Sequence, residues 1–380
     1  MLIKTENIKE LVSLISTARS VDSKNIEDVK LNTKDNLLYL SVTNKEYYVS
    51  VKAEAEPTDN SEDKSAVVGA EAFLTLVSSL ASEEIELIFE ETSLKIKSGK
   101  SKYSLPYIVR ELNNQIKPIV IENKLSEFDF SLANLESILN VNAKEVKKVK
   151  DSDDPIHHLF YLTKNGCFTF GIGSCFNQFE LNTDAELMLS EHFVNLFKLF
   201  TTDVKATYGV DNATAKLSLV SDKVYLCSYI NIDDILITRI RSNYESSKRM
   251  FNLDYSHNVD FPVKAFYEVL NRLDTFRKST DDLFEKTTSL VNLVLNENEC
   301  TIIDKNKNME YLELGTKVEA PISIIINTYD IKSILNSCTT DLINIKFGIK
   351  SDVIRTNPIL ITYNNVYNLI PEWPRSEFGE

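Results

Sequence analysis

Two adjacent histidines, His157-His158, follow an aspartate pair, Asp153-Asp154. Imidazole beside carboxylate is the pairing used for acid–base catalysis or for holding a metal. The four residues also read as an acidic turn entering a strand, and that reading is preferred here. Gly171-Ile172-Gly173 is too short for a dinucleotide-binding loop and is not followed by a helix. No GxxxxGK[ST], GxSxG or HExxH pattern occurs. Nine glycines in 380 residues disfavour a phosphate-cradling enzyme. The cysteines at 167, 175, 227, 300 and 338 are dispersed, with no CxxC pair. They read as reduced thiols of a cytosolic protein and give no zinc site. No catalytic residue, cofactor or metal is therefore expected.

The other side chains with chemical potential are basic residues on helices. At 100° per residue, a helical segment divides into a core face and an outer face. In the segment 132–147, Leu132, Leu135, Ile138, Leu139 and Val146 share one side. Lys144 and Lys148 fall opposite, and Lys147 lies on the flank. In 263–278, Phe266, Leu270 and Leu273 form the core side. Lys264 and Lys278 are opposite, with Arg272 beside them. Lys198 opposes Phe193 and Phe197, Lys9 opposes Leu11 and Ile15, and Lys332 flanks Ile331 and Ile334. The helix at 71–80 offers only Ser and Thr outside. Cations placed this way contact phosphates without reading sequence. The formal charge of −14 counts against nucleic acid only if it is evenly spread. Much of the acid sits in loops such as EPTDNSED and DSDD.

The elements that position these residues recur about every 120 residues, in the order helix, strand pair, helix, strand pair. Helices are expected at Glu6–Arg19, Leu132–Lys147 and Val263–Lys278, each opening one copy. Turns are expected at Asn165-Gly166, Ser98-Gly99, Ser221-Asp222 and Asn296-Glu297-Asn298. Each copy then has two helices and about six strands, enough for one layered α+β domain. Edge strands pairing between neighbours would close a ring. The expected domains are 1–124, 125–243 and 244–380. The opening MLIKTENIKE lacks an apolar stretch, and no apolar run approaches the ~20 residues of a membrane span, so a cytoplasmic protein is expected.

Three stretches carry a family resemblance. They are LVSLISTARS with NIEDVKLNTKDNLLYLSVTNKEYYVSVKAEA, then AVVGAEAFLTLVSSLASEEIELIFEETSLKIKSGKSKYSLPY, and the terminal ILITYNNVYNLIP. In order and position they resemble the bacterial DNA polymerase III beta sliding clamp. The resemblance implies a DNA-clamp fold of three similar domains, each with two helices packed on antiparallel sheets. It implies a head-to-tail homodimeric ring around duplex DNA, with no catalysis. It also implies a peptide pocket for DNA polymerase and clamp loader at Ile172, Phe176, Asn177, Ile237, Arg241, Asn368, Leu369, Ile370 and Pro371. Lys24 matches a basic DNA-contacting position. Gly171–Cys175 replaces the family's usual Thr-Asp-Gly turn, Asp234–Thr238 replaces a Phe-Pro-Asp-Tyr segment, and EWPRSEFGE extends beyond Pro371. Such divergence fits a phage-encoded member. A clamp-like decoy or assembly protein that does not encircle DNA is the alternative.

Overall fold

The computed structural model describes all residues except 58–62, 111–114, 172, 278–288, 350–356 and 379–380. The first copy runs β1 (Leu2–Lys4), α1 (Thr5–Val21), β2 (Asp28–Lys34), β3 (Leu37–Thr43), β4 (Tyr47–Glu54) and β5 (Ser65–Gly69). It continues with α2 (Ala70–Ser79), β6 (Glu84–Phe89), β7 (Ser93–Ser98) and β8 (Ser101–Pro106). The second copy opens with β9 (Lys124–Phe130) and α3 (Leu132–Ser137). A π-helical turn, Ile138–Asn142, joins α3 to α4 (Ala143–Lys148). Then come β10 (Leu159–Thr163), β11 (Gly166–Phe170), β12 (Ser174–Gln178), β13 (Leu187–Ser190) and α5 (Glu191–Asn195). After a 3₁₀ turn, Leu196–Leu199, follow β14 (Val204–Asp211), β15 (Thr214–Val220) and β16 (Val224–Ile230).

An 18-residue helix, α6 (Asp234–Phe251), leads into the third copy. That copy comprises β17 (Tyr255–Pro262), α7 (Val263–Arg277), β18 (Leu290–Asp304), β19 (Met309–Asn327) and α8 (Thr328–Ser337). It ends with β20 (Leu342–Ile349), β21 (Pro358–Tyr363), β22 (Val366–Pro371) and the short α9 (Arg375–Phe378). The order β-α-β-β-β-β-α-β-β-β thus occurs twice, with more strands than the sequence alone indicated. In the third copy two long strands stand in for four. The turn expected at Asn296-Glu297-Asn298 is instead an irregularity inside β18. Register shifts occur on both sides of Glu297, whose φ is +50°.

The chain forms two compact units, Met1–Glu136 with Leu181–Ile232, and Ser137–Glu180 with Asp233–Glu380. In the first unit, eight antiparallel strands run β5-β2-β3-β4-β16-β15-β14-β9, and a second sheet runs β1-β6-β7-β8. The junction of β4 with β16 joins a strand of the first copy to one of the second, with Val49 opposite Leu226. α1 forms because Ile8, Leu11, Val12, Ile15 and Ala18 recur on one face, and all five are buried.

The connector after β8 lies along this unit. Ile116 and Ile119 bury against Tyr48 and Cys227. Lys216 Nζ donates to Val120 O at 2.7 Å, and Tyr225 Oη to Ile119 O at 2.8 Å. Asp211 accepts from Lys216 Nζ (2.8 Å) and from the backbone N–H of Asn123 (2.8 Å) and Glu122 (3.1 Å). The Lys216 bond first, then the two amides, hold its carboxyl down at about 2. A depressed carboxyl contributes stability that is full above its unfolded value and is lost as pH falls through the folded one. Urea midpoints of the wild type are therefore expected to drop between about pH 4 and pH 2. Asp211→Asn should flatten that drop, and an unchanged acid limb would contradict the assignment.

In the second unit, seven strands run β10-β11-β12-β22-β21-β20-β17. Here β12 of the second copy pairs with β22 of the third, Phe176 opposite Tyr367 and Cys175 opposite Asn368. One face of this sheet packs on Val141, Phe266, Leu270, Ile331, Ile334 and Leu335 from the helices. The other face carries α6. Asp233 caps that helix by accepting from Ile235 N (2.9 Å) and Leu236 N (3.0 Å). Ile240, Tyr244 and Ser247, at helical spacing, are its buried residues. The tail beyond Pro371 settles on β18 and β19. Trp373 N donates to Ile325 O at 2.9 Å, and Phe378 buries with Leu290 and Ile325.

Candidate nucleic-acid interface and peptide site

The basic residues proposed to meet phosphate fall into two groups. Lys24 (in the turn after α1), Lys147 (α4), Lys198 (3₁₀ turn after α5) and Lys264 (first turn of α7) are exposed. None of these four ion-pairs with a described residue. Lys9 on α1 is half-buried. The others are engaged. Arg272 makes a two-pronged pair with Glu310, both bonds 2.9 Å. Lys144 Nζ donates to Asn336 O at 2.9 Å. Lys332 pairs with Asp274 at 2.5 Å and lies 5.7 Å from the Tyr267 ring centre. Lys148 departs most from its expected outward placement. Its side chain is 6% exposed and its Nζ lies 2.7 Å from Glu145 Oε2. Lys278 lies outside the described residues.

Uncharged polar side chains line a groove as well. α1 and α2 enclose a groove lined by Ser16, Ser20, Ser23, Thr75, Ser78 and Ser79, with Arg19 tied to Glu71 at 3.5 Å. The Ser and Thr spacing on α2 was the available signal.

The nine residues assigned to a peptide pocket divide between the two faces of one sheet. Registered partners and residues two apart share a face, while neighbours alternate. Phe176 and Leu369 point to the α6 side, where Phe176 lies 5.3 Å from Tyr244, ring centre to ring centre. Asn177 and Ile370 point to the core side. Asn177 Nδ2 donates to Ser137 Oγ at 2.8 Å and Asn142 Oδ1 at 3.3 Å, and Ile370 belongs to the apolar core. Asn368, the partner of Cys175, shares that side. Ile237 is half-buried and Arg241 exposed on α6, Pro371 is half-buried, and Ile172 lies outside the described residues. The set therefore does not line one pocket.

A small cavity does occur on the core side, of about 10 Å³. Glu145 and Lys148 of α4, Gly173 to Cys175, Asp330 of α8 and Asn368 to Ile370 line it. Burial raises the Asp330 carboxyl, against the pull of Lys148. Burial also pushes the Cys175 thiol far up, so it stays protonated and unreactive. Ser174 is buried as well, but it is registered with Leu369 and so turns its side chain to the α6 side, away from this cavity. Gly173 permits the wall to close, because a Cβ there would stand 2.0 Å from Leu369 O. Gly173→Ala is expected to push β12 off β22 and cost about 1–3 kcal/mol, read as a lowered urea midpoint. No change would mean that the backbone has room to yield.

The His/Asp cluster is tied into local hydrogen bonds and one ion pair. Ser152 Oγ meets His157 Nδ1 at 2.7 Å, and His158 Nε2 meets Ser152 O at 2.8 Å. Asp154 caps the 3₁₀ turn Pro155–His158 and pairs with Arg239 at 2.6 Å. Among the described residues no three His, Cys, Asp or Glu side chains are grouped to hold a metal ion, and no helix is long and apolar enough to cross a membrane.

The whole chain superposes on solved clamps. The Helicobacter pylori beta clamp, solved with 3,4-difluorobenzamide, matches with a TM-score of 0.76 at 13% identity, over 98% of this chain and 99% of that one. The chain has the beta-clamp fold. The Bacillus subtilis DNA polymerase sliding clamp gives 0.75 at 14% identity, over 98% of each chain. The Streptococcus pyogenes DNA polymerase beta subunit gives 0.76 at 14%, over 98% and 99%. Residues 1–115 match the model of the DNA polymerase III beta subunit N-terminal domain, a span that holds the whole first copy, β1 to β8. No curated protein matches the sequence.

Proposed function

We propose that this chain is the subunit of a DNA sliding clamp, a non-catalytic processivity factor that encircles duplex DNA in the cytoplasm and tethers the replicative polymerase. The full-length match to the beta-clamp fold carries the reading. The three domains are 1–124, 125–243 and 244–380, the last boundary falling within α6. Two copies pair head to tail. The free edge strand β8 supports this, since five of its six residues are exposed and its outer backbone groups can take a strand from another chain. Lys24, Lys147, Lys198 and Lys264 supply the phosphate contacts, with Lys9 beside them. The net charge of −14 is compatible with this role. At physiological salt, charges more than about 8 Å apart are largely screened, so acid on an outer surface does little to DNA held against a basic lining. The polymerase and the clamp loader dock through a short peptide beside β12 and β22. The H. pylori clamp has been solved with a DNA ligase peptide, which supports peptide docking as a mode of this fold.

Solution mass and retention on nicked circular DNA test the reading together. A dimer that stays on the circle and runs off after linearisation is expected. A monomer, or binding indifferent to linearisation, would instead indicate a clamp-like protein that does not encircle DNA.

A further inference from the structure

The sheet at the β12–β22 junction has two faces. The core face lies under Val141, Phe266, Ile331 and Ile334, and no peptide reaches it without dismantling that core. The opposite face carries a row of rings. Tyr161, Phe168, Phe176 and Tyr367 are registered side by side across β10, β11, β12 and β22, so their side chains share one face. Leu369 stands two residues along from Tyr367, on the same side. Peptides commonly dock by burying aliphatic or aromatic anchors against such a surface. Here this chain already covers it. Tyr244 of α6 lies 5.7, 5.4 and 5.3 Å from the ring centres of Tyr161, Phe168 and Phe176. Phe251 continues the cover, 5.3 Å from Tyr367. The hold is narrow. α6 buries three of its 18 residues, whereas α1 buries six of 17, so α6 is the less firmly seated helix. Its ion pair to the neighbouring 3₁₀ turn, Arg239 with Asp154 at 2.6 Å, is partly exposed and contributes little. Segments with few buried contacts open at lower cost than the whole unit unfolds.

We propose that α6 is an autoinhibitory occupant of the peptide site: it lies on the ring row of β10, β11, β12 and β22, and a partner peptide with an aliphatic and an aromatic anchor binds by displacing it. The inference rests on the peptide site proposed above. Only the fraction of molecules with α6 lifted binds, so the apparent affinity is lowered by that fraction. Loosening α6 should therefore tighten peptide binding. Removing Tyr244 would be ambiguous, because the cavity left behind could itself take up an aromatic group. Ser242 avoids this, being exposed on the outer side of α6. Ser242→Gly weakens the helix mildly and Ser242→Pro strongly, and neither removes a ring from the interface. The glycine variant keeps the test open should the proline variant fail to fold.

The probe is a fluorescein-labelled Gly-Ser-Leu-Phe-Gly peptide, titrated by fluorescence anisotropy. Apparent affinity should rise in the order wild type, Ser242→Gly, Ser242→Pro, with the proline variant at least about tenfold tighter than wild type. Hydrogen–deuterium exchange of the wild type gives a second readout. Saturating probe should speed exchange across 234–251, whereas a peptide bound elsewhere leaves α6 unchanged or protects it. Equal affinity in all three proteins would overturn the proposal, as would no binding by a folded variant. Exchange in α6 that is unchanged or slowed at saturation would overturn it too. Retention of the wild type on nicked circles is scored in parallel. Retention without the gain in affinity overturns the role of α6 alone, whereas loss of retention removes the clamp reading itself.

Discussion

Tyr244→Ala is expected to destabilise the second unit by about 3–5 kcal/mol, the range for deleting a large buried aromatic. Tyr244 is 5% exposed. Its ring sits among Tyr161, Phe168 and Phe176, with centroid distances of 5.7, 5.4 and 5.3 Å and edge-on or tilted approaches. Such pairs add to simple area burial. One helical turn on, Lys248 Nζ lies 5.8 Å from the same ring centre. Beyond it Phe251 stacks on Phe176 at 6.1 Å and tilts against Tyr367 at 5.3 Å. α6 has a polar outer face and few other buried residues, so these aromatics hold it to the sheet. The variant should show a lower denaturant midpoint and faster proteolysis within 234–251. Tyr244→Phe keeps the ring contacts and should lose much less. A midpoint for Tyr244→Ala within about 0.5 kcal/mol of wild type, the range for surface substitutions, would mean that α6 is not anchored as described.

α6 also shows where sequence reading stopped. The resemblance makes 234–238 a replacement for a family connector, whereas its own periodicity makes it the first turn of a helix. The signals were present: Asp233 as a cap, then Ile240, Tyr244, Ser247 and Phe251 at spacings of four, three and four. By contrast α1, α2 and α7 lie within about two residues of their expected bounds, because each buries a single apolar stripe. The lysines on α4 show a different limit. A wheel at constant 100° carries Lys148 to the solvent side. The π-helical turn Ile138–Asn142 adds residues per turn and rotates everything after it. Val146 stays inside, and Lys148 is drawn in beside it. Nothing in the composition of ILNVN announces that turn. The peptide-pocket residues illustrate strand alternation. Asn368, Leu369, Ile370 and Pro371 are consecutive in β22, so a period of two sends them to opposite faces. A family position carries over one residue at a time, and the face it occupies depends on register that only the sheet supplies.

The proposed phosphate contacts are the basic residues that are exposed and make no ion pair with a described residue. Lys24, Lys147, Lys198 and Lys264 replaced together by alanine should weaken binding to short linear duplex by about 10²-fold or more at low salt. Each phosphate neutralised contributes about 0.9 to the slope of log K against log salt, so four contacts per subunit, in a dimer, should lower that slope by up to about 7. Arg272 and Lys332 serve as the contrast. Each already satisfies a carboxylate, Glu310 and Asp274, so Arg272→Ala or Lys332→Ala should change the slope by less than one contact, ~0.9. Retention on a nicked circle should behave differently from either. Topological linkage survives the loss of phosphate contacts, because leaving the circle requires an interface to open rather than an ion pair to break. The quadruple variant should therefore remain on the circle, slide off a linear end faster, and bind short duplex poorly. An unchanged salt slope would remove these four lysines from the DNA path. A variant that leaves the circle as readily as the linear form would show that ionic contact, rather than enclosure, holds the protein on DNA.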